Sequence, residues 1–152
     1  MYHLVFDLKN QNKYLLKENN FPFGEVGASK SFELNPFVRG QHSLQLLFAK
    51  DSIRSGWRKK EEQFVLSGKY KVKVFKNEEL IYEDHISKAV RYTYQKDNMD
   101  YYSSATLLYF NLPITGFNLV KLKLTIEVEI GDKLLAAESS KIELAFKVSL
   151  DH

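Results

Sequence analysis

The sequence predicts an all-β protein in which two antiparallel sheets pack face to face as a β-sandwich. Apolar and polar residues alternate with a period of two over most of the chain, helical periodicity is scarce, and turn-forming residues separate the alternating segments. A strand that is apolar on one face must bury that face against another layer. We expect about eight to ten strands in one domain spanning residues 1–152. A closed barrel is the alternative that the sequence leaves open.

The first half of the chain contains three alternating segments and one segment with helical spacing. The positions expected to face the core are Tyr2, Leu4, Phe6 and Leu8, then Phe32 and Leu34, then Leu44, Leu46 and Phe48. A short helix is predicted over Ser55–Phe64, where Ser55 is a suitable N-cap and Trp57 shares one face with Phe64.

The second half of the chain contains two predicted hairpins. In the first, Tyr70, Val72 and Val74 face the core, the chain turns at 77–79, and the return strand faces the core through Leu80, Tyr82 and Ile86. Residues 89–95 and 104–112 are two further strands, with a polar loop between them. The second hairpin joins 118–130 to 141–150, with Gly131 and Asp132 as turn formers.

Composition excludes several classes of protein. The chain has no cysteine, which excludes disulfides, zinc–thiolate sites and cysteine nucleophiles. Its 22 basic and 19 acidic residues give a net charge of +3, and one cluster between Lys50 and Lys60 carries the excess. A nucleic-acid-binding protein spreads cations over a face, so we expect no nucleic-acid partner. No apolar run has the length of a spanning helix, and the N-terminus lacks the pattern of a signal peptide.

Motifs that carry catalytic chemistry are missing from the sequence. The four histidines are far apart and lack the spacing of metal ligands, and Asp97–Asp100 lacks the glycine and alternating acids of a calcium loop. The glycines of Phe23–Gly27 lack the lysine of a phosphate-binding loop, and no serine lies in a Gly-x-Ser-x-Gly motif. We therefore expect no enzyme activity, no catalytic residues, no cofactor and no metal.

Two groups of residues are candidates for partner binding. The only tryptophan, Trp57, lies among the cations Arg54, Arg58 and Lys59, and a ring flanked by charges suits an anchor for a protein partner with an acidic patch. The structural alternative is that Trp57 covers one end of the core while the cations stay in water. Tyr101 and Tyr102 form the second candidate group, because they are adjacent to a polar loop.

Three phrases of the sequence resemble a known family. The second phrase is the hairpin that follows Ser67, and the third is the Gly116–Phe117 pair before a long strand. The first phrase consists of Pro36, Phe37, Gly40, His42, Leu44, Leu46 and Phe48. Over about Ser31 to Val128 the chain is similar to small bacterial immunoglobulin-like lipoprotein domains. The chain departs from them in lacking an export signal and a lipidated cysteine.

The resemblance implies an immunoglobulin-like sandwich with a binding role. Members of that family include immunity proteins that neutralise toxins delivered by contact-dependent systems such as type VI secretion. We therefore expect a protein partner, a cognate toxin, and a periplasmic location, with the cytoplasm as the alternative. Membrane contact is expected only if a lipid anchor lies outside this sequence.

Two other functions stay open at this point. A carbohydrate-binding module would use Tyr92, Tyr94, Tyr101 and Tyr102 as stacking platforms for sugar rings. A peripheral membrane domain that depends on calcium or lipid is the third interpretation, although the chain lacks clusters of acidic ligands.

Overall fold

The computed structural model describes residues 5–6, 13–34, 41–49, 65–94, 103–111 and 121–149. This part of the chain forms strands, one short α-helix and one turn of 3-10 helix. The strands are β1 Val5–Phe6, β2 Lys13–Asn19, β3 Ser29–Leu34, β4 Gln41–Phe48, β5 Val65–Lys76, β6 Glu79–Lys88, β7 Arg91–Tyr94, β8 Ser103–Asn111, β9 Leu122–Ile130 and β10 Ile142–Ser149. Helix α1 spans Lys133–Ala137, and the 3-10 turn spans Ser139–Lys141.

The strands form two antiparallel sheets. The larger sheet has six strands in the order β1-β2-β10-β4-β8-β7, and the smaller has four in the order β3-β9-β5-β6. Every pair of neighbours is antiparallel. The all-β prediction of an antiparallel two-sheet sandwich with about eight to ten strands is therefore confirmed.

The core lies between the two sheets and is filled by the alternating residues of both. In β9, Leu122, Leu124, Ile126 and Val128 are buried, as the period-two pattern predicts. The ring of Phe32 in the smaller sheet stacks on that of Phe146 in the larger sheet, with centroids 6.2 Å apart. Side chains from the two layers belong to one continuous hydrophobic cluster.

The predicted C-terminal hairpin is wrong, although both of its strands exist. Strand β9 lies in the smaller sheet between β3 and β5, whereas β10 lies in the larger sheet between β2 and β4. The connection contains helix α1 in place of a turn. Asp132 is the N-cap of this helix, and its Oδ1 accepts a hydrogen bond from the backbone N–H of Leu135 at 3.0 Å.

The same carboxylate joins this connection to strand β5. Asp132 is completely buried, and its Oδ2 accepts hydrogen bonds from the backbone N–H groups of Ser67 at 3.1 Å and Gly68 at 3.2 Å. The β5–β6 register shifts between Val65 and Tyr70, so Ser67 and Gly68 lie in an interruption of that ladder. Three charge-assisted hydrogen bonds offset the cost of burying the carboxylate.

Two glycines allow the backbones to meet around Asp132. A Cβ atom on Gly68 would lie 2.6 Å from the carbonyl oxygen of Ile130, and one on Gly131 would lie 2.5 Å from that of Gly24. The backbone N–H of Asp132 donates to the carbonyl oxygen of Phe23 at 2.9 Å. The segment between β2 and β3, the start of β5 and helix α1 therefore meet at one end of the sandwich.

The β5–β6 hairpin is confirmed, and its turn contains the two residues Asn77 and Glu78. Lys76 is paired with Glu79 across the turn. Asn77 has φ 49° and Glu78 has φ 71°, and positive φ at both positions is the backbone of a type I′ turn. Asparagine tolerates this conformation, but it is unfavourable for glutamate, which has a Cβ atom and no local hydrogen bond that compensates.

We expect Glu78→Gly to raise the free energy of unfolding by about 0.5–1 kcal/mol, because glycine adopts positive φ without steric cost. Urea-induced unfolding followed by circular dichroism measures this change. Glu79→Gly is the matched control, and it should lower stability because Glu79 lies in a strand. Equal effects at the two positions would contradict the assignment of the turn.

Candidate functional site

The six predicted partner-binding residues lie outside the described residues. They are Trp57, Arg54, Arg58, Lys59, Tyr101 and Tyr102. The predicted helix over Ser55–Phe64 lies outside them as well. The roles expected for these residues stay predictions from the sequence. The exposed surface described below is that of strand β6.

The two described histidines, His42 and His85, both contact other side chains of the protein. His42 is fully buried, and its ring stacks on that of Phe110 with centroids 5.1 Å apart and lies 5.8 Å from that of Phe146. His85 is partly exposed, and its Nδ1 is paired with the carboxylate of Glu129. Within the described ranges, no group of three His, Asp or Glu side chains is arranged to hold a metal ion.

Strand β6 presents the largest run of exposed residues in a described strand. It is the last strand of the smaller sheet, and among the described strands it pairs with β5 alone. Nine of its ten residues are exposed, and Ile86 is the buried one. We call the side of Glu79–Lys88 that faces away from β5 the β6 edge.

Three consecutive apolar side chains are exposed where β6 begins. The exposed fractions are 45% for Leu80, 39% for Ile81 and 38% for Tyr82. The sequence predicts that Leu80 and Tyr82 face the core, and this is wrong for Leu80, which lies opposite the partly buried Phe75 after a shift in register. Tyr82 is opposite Val74, which is fully buried, so it lies on the predicted face but at the margin of the sheet, where the core ends.

Polar contacts order the middle of β6. The Tyr82 hydroxyl donates to Asp84 Oδ2 at 2.9 Å, and the backbone N–H of His85 donates to Asp84 Oδ1 at 2.8 Å. Burial, together with the hydrogen bond to Asp84 and its negative charge, raises the pKa of the Tyr82 phenol above its ordinary value. The Asp84 carboxylate is therefore held between a side chain and the backbone of its own strand.

The outer face of the smaller sheet carries both signs of charge beside β6. Lys71 Nζ lies 3.7 Å from Glu83 Oε1, and Lys123 Nζ lies 6.0 Å from the centre of the Phe75 ring. Exposed ion pairs of this kind contribute little to stability. They make this face a mixed, solvated surface next to the apolar start of β6.

Two further groups of exposed apolar residues lie away from β6. Val26 lies in the segment between β2 and β3, Ile130 lies at the end of β9 and Leu134 lies in helix α1. Val90 and Tyr109 are exposed on the larger sheet and the connection that enters it. Tyr92 and Tyr94, the described members of the predicted sugar platform, lie in β7 at the margin of the larger sheet.

The comparisons with known proteins bear on the fold. No protein-family model and no curated protein matches the chain. The chain is similar to a crystal structure of a protein from Sulfurospirillum deleyianum, with a TM-score of 0.54 and 11% sequence identity over 90% of this chain and 97% of that chain. This similarity supports the fold alone.

A second solved structure is similar at a lower level. It is a family GH115 4-O-methyl-alpha-glucuronidase with specificity for decorated arabinogalactans, at 10% identity and a TM-score of 0.36, over 99% of this chain and 16% of that chain. A similarity of this size supports no inference about this protein. Within the described ranges, no helix is long and apolar enough to cross a membrane.

We expect Asp84→Asn to lower the pKa of Tyr82, because the substitution removes the negative charge that opposes ionisation of the phenol. The pKa should stay somewhat raised, since burial is the larger cause. A pH titration of ¹³Cζ-tyrosine resonances by NMR measures this, with Tyr82→Phe to assign the signal.

The sign of the linkage to stability follows from the same shift. Because the folded state raises this pKa, the Tyr82–Asp84 bond stabilises the protein while the phenol is protonated, and its contribution is lost as pH rises through that pKa. An unchanged Tyr82 titration in Asp84→Asn would contradict the bond.

Proposed function

We propose that this protein is a non-catalytic domain that binds another protein, and that it acts as an immunity protein that neutralises a secreted bacterial toxin. The observation that carries the proposal is the exposure of three consecutive apolar side chains, Leu80, Ile81 and Tyr82, at the start of strand β6. Exposed apolar residues grouped on a soluble domain mark interaction surfaces, and aromatic residues supply much of the energy of protein interfaces.

The positions of the described ionisable groups support a binding role. The buried carboxylate of Asp132 accepts three backbone N–H groups and is used in the fold. His42 packs against the rings of Phe110 and Phe146 in the core. General acid–base catalysis needs such groups to converge on a cleft, and these two residues do not.

The proposed mechanism is occlusion of the toxin by two contact surfaces. The β6 edge supplies apolar contact area. The predicted patch of Trp57, Arg54, Arg58 and Lys59 supplies an aromatic anchor surrounded by positive charge, which fits an acidic region of the toxin. Charges at the margin of an interface raise the association rate more than they raise affinity.

The setting of this activity is proposed from the family resemblance. Immunity proteins of the resembling group protect cells against toxins of systems such as type VI secretion. We therefore place the protein in the periplasm as part of the proposal, since toxins of this kind act on the cell that the immunity protein protects.

The partner can be identified by site-specific photo-crosslinking. A benzoylphenylalanine at position 81 should capture the toxin, whereas the same group at the exposed position of Lys133 on helix α1 is the matched control. Expression of the captured protein alone should arrest growth, and co-expression of the intact immunity protein should restore it. A captured protein that is harmless would contradict the proposal, and so would saturable sugar binding on a glycan array.

We expect Trp57→Ala and Arg58→Ala each to weaken binding of the captured toxin about tenfold or more, because aromatic and arginine anchors dominate interface energy. Calorimetric titration measures the Kd, and circular dichroism confirms that each variant is folded. Lys133→Ala, which removes an exposed cation from helix α1, is the control and should bind within about twofold of the wild type. Unchanged Kd values for both patch variants would remove this patch from the interface.

A further inference from the structure

We propose that the β6 edge binds an extended segment of the partner by strand addition, and that this segment carries lysine or arginine side chains. The identity of the partner rests on the proposed function, whereas the mode of binding rests on the geometry of β6 alone. Addition of a strand to an exposed edge uses main-chain hydrogen bonds for affinity and alternate side chains for specificity.

The direction of the β6 backbone groups follows from the registers of the smaller sheet. Val128 exchanges backbone hydrogen bonds with the segment that leads into β3, so the groups of its neighbour Glu127 face β5. Glu127 is opposite Lys71, and Lys71 is opposite His85. The backbone groups of Lys71 therefore face β9, and those of His85 face away from β5.

A hydrogen bond of His85 supports the same direction independently. Its N–H donates to Asp84 Oδ1, a side chain of β6 itself. Backbone groups of alternate residues in an antiparallel strand point the same way. Glu83 and Ser87 therefore present their N–H and C=O groups at the β6 edge together with His85.

Asp84 has two proposed roles at this edge. It protects the edge from aggregation, and it favours a partner segment with positive side chains. In the free protein its carboxylate satisfies the N–H of His85, which is one way in which edge strands avoid aggregation. An added strand would supply a backbone carbonyl to His85 in its place. The released carboxylate, still bonded to the Tyr82 hydroxyl, would then accept a hydrogen bond from an ammonium or guanidinium group of the partner.

The charge of β6 selects a basic segment. The strand exposes three carboxylates, Glu79, Glu83 and Asp84, of which Glu83 is paired with Lys71 of β5, and one lysine, Lys88. A partner segment with positive side chains is therefore complementary, and apolar residues between them would contact Leu80 and Ile81. A second copy of β6 would bring two acidic strands together, so we expect the occupant to be a different protein.

A lysine–valine peptide tests the inference without knowledge of the toxin. A short peptide that alternates lysine with valine is titrated into the ¹⁵N-labelled protein, and NMR follows amide shifts and hydrogen exchange. We expect shifts along β6 and slower exchange at Glu83, His85 and Ser87, because these N–H groups gain partners. The control peptides are a glutamate–valine analogue and a lysine–valine peptide with N-methylated backbone amides, and neither should bind.

A pair of substitutions at Ser87 tests the backbone contact without changing charge. Proline is tolerated in an edge strand where the N–H faces solvent, so Ser87→Pro should fold, yet it removes one outward donor. We expect it to weaken peptide binding about tenfold, whereas Ser87→Val, which keeps the donor, should bind as the wild type does.

Three results would overturn strand addition. They are the lack of any shift in β6, equal binding by the N-methylated peptide, and self-association through β6 in analytical ultracentrifugation. The test separates this inference from the proposed function. A toxin that is captured and neutralised without protection of the β6 amides would leave the function standing and remove the mode. Peptide binding at β6 with no toxin partner would support strand addition and remove the proposed function.

Discussion

The arrangement of the sandwich depends on the hydrogen bonds of one buried carboxylate. Asp132 caps helix α1 through Leu135 and accepts the N–H groups of Ser67 and Gly68, and its backbone N–H donates to Phe23. These contacts join segments that serve both sheets. They allow the chain to leave the smaller sheet after β9 and enter the larger one, so that β10 lies between β2 and β4. A carboxylate suits this position because it accepts several N–H groups at once.

The layering that follows from this junction determines which strands are central and which lie at the margins. Strand β10 occupies a central position in the larger sheet, and the two layers enclose a core of stacked rings and aliphatic side chains. In the smaller sheet, β9 and β5 are central, and β6 lies at one margin, where no other described strand pairs with it. In the described core, His42 packs against aromatic rings, and Asp132 caps helix α1 and accepts hydrogen bonds from β5. Recognition is therefore proposed for the surface, where backbone groups and apolar side chains are accessible together.

Much of the fold could be predicted from the sequence, because the alternation of apolar and polar residues within a strand shows which of its faces is buried. The period-two pattern of β9 and the turn at Asn77 predict a strand and a hairpin correctly. Pairing between distant strands leaves no such local signal. The sequence therefore predicts that β9 pairs with β10, the next strand along the chain, and this is wrong. Helix α1 does have a local sequence signal, because the N-cap residue Asp132 precedes four residues that favour helix, Leu134, Leu135, Ala136 and Ala137. Strand β2 was missed because charged residues interrupt its alternation at Lys13, Lys17 and Glu18. The β6 edge could not be predicted, because it depends on strand order. The six predicted partner-binding residues lie outside the described part of the chain, so their role stays a prediction.

The stability of Asp132→Asn tests the junction most directly. An amide can keep the cap to Leu135, but its NH₂ group would face the N–H groups of Ser67 and Gly68. Urea-induced unfolding should show a loss of about 2–4 kcal/mol for this variant. Glu143→Gln, which removes a surface charge paired with Lys17, should change stability by less than about 1 kcal/mol. Equal stability of Asp132→Asn and the wild type would contradict the account that this carboxylate holds the two sheets in their arrangement.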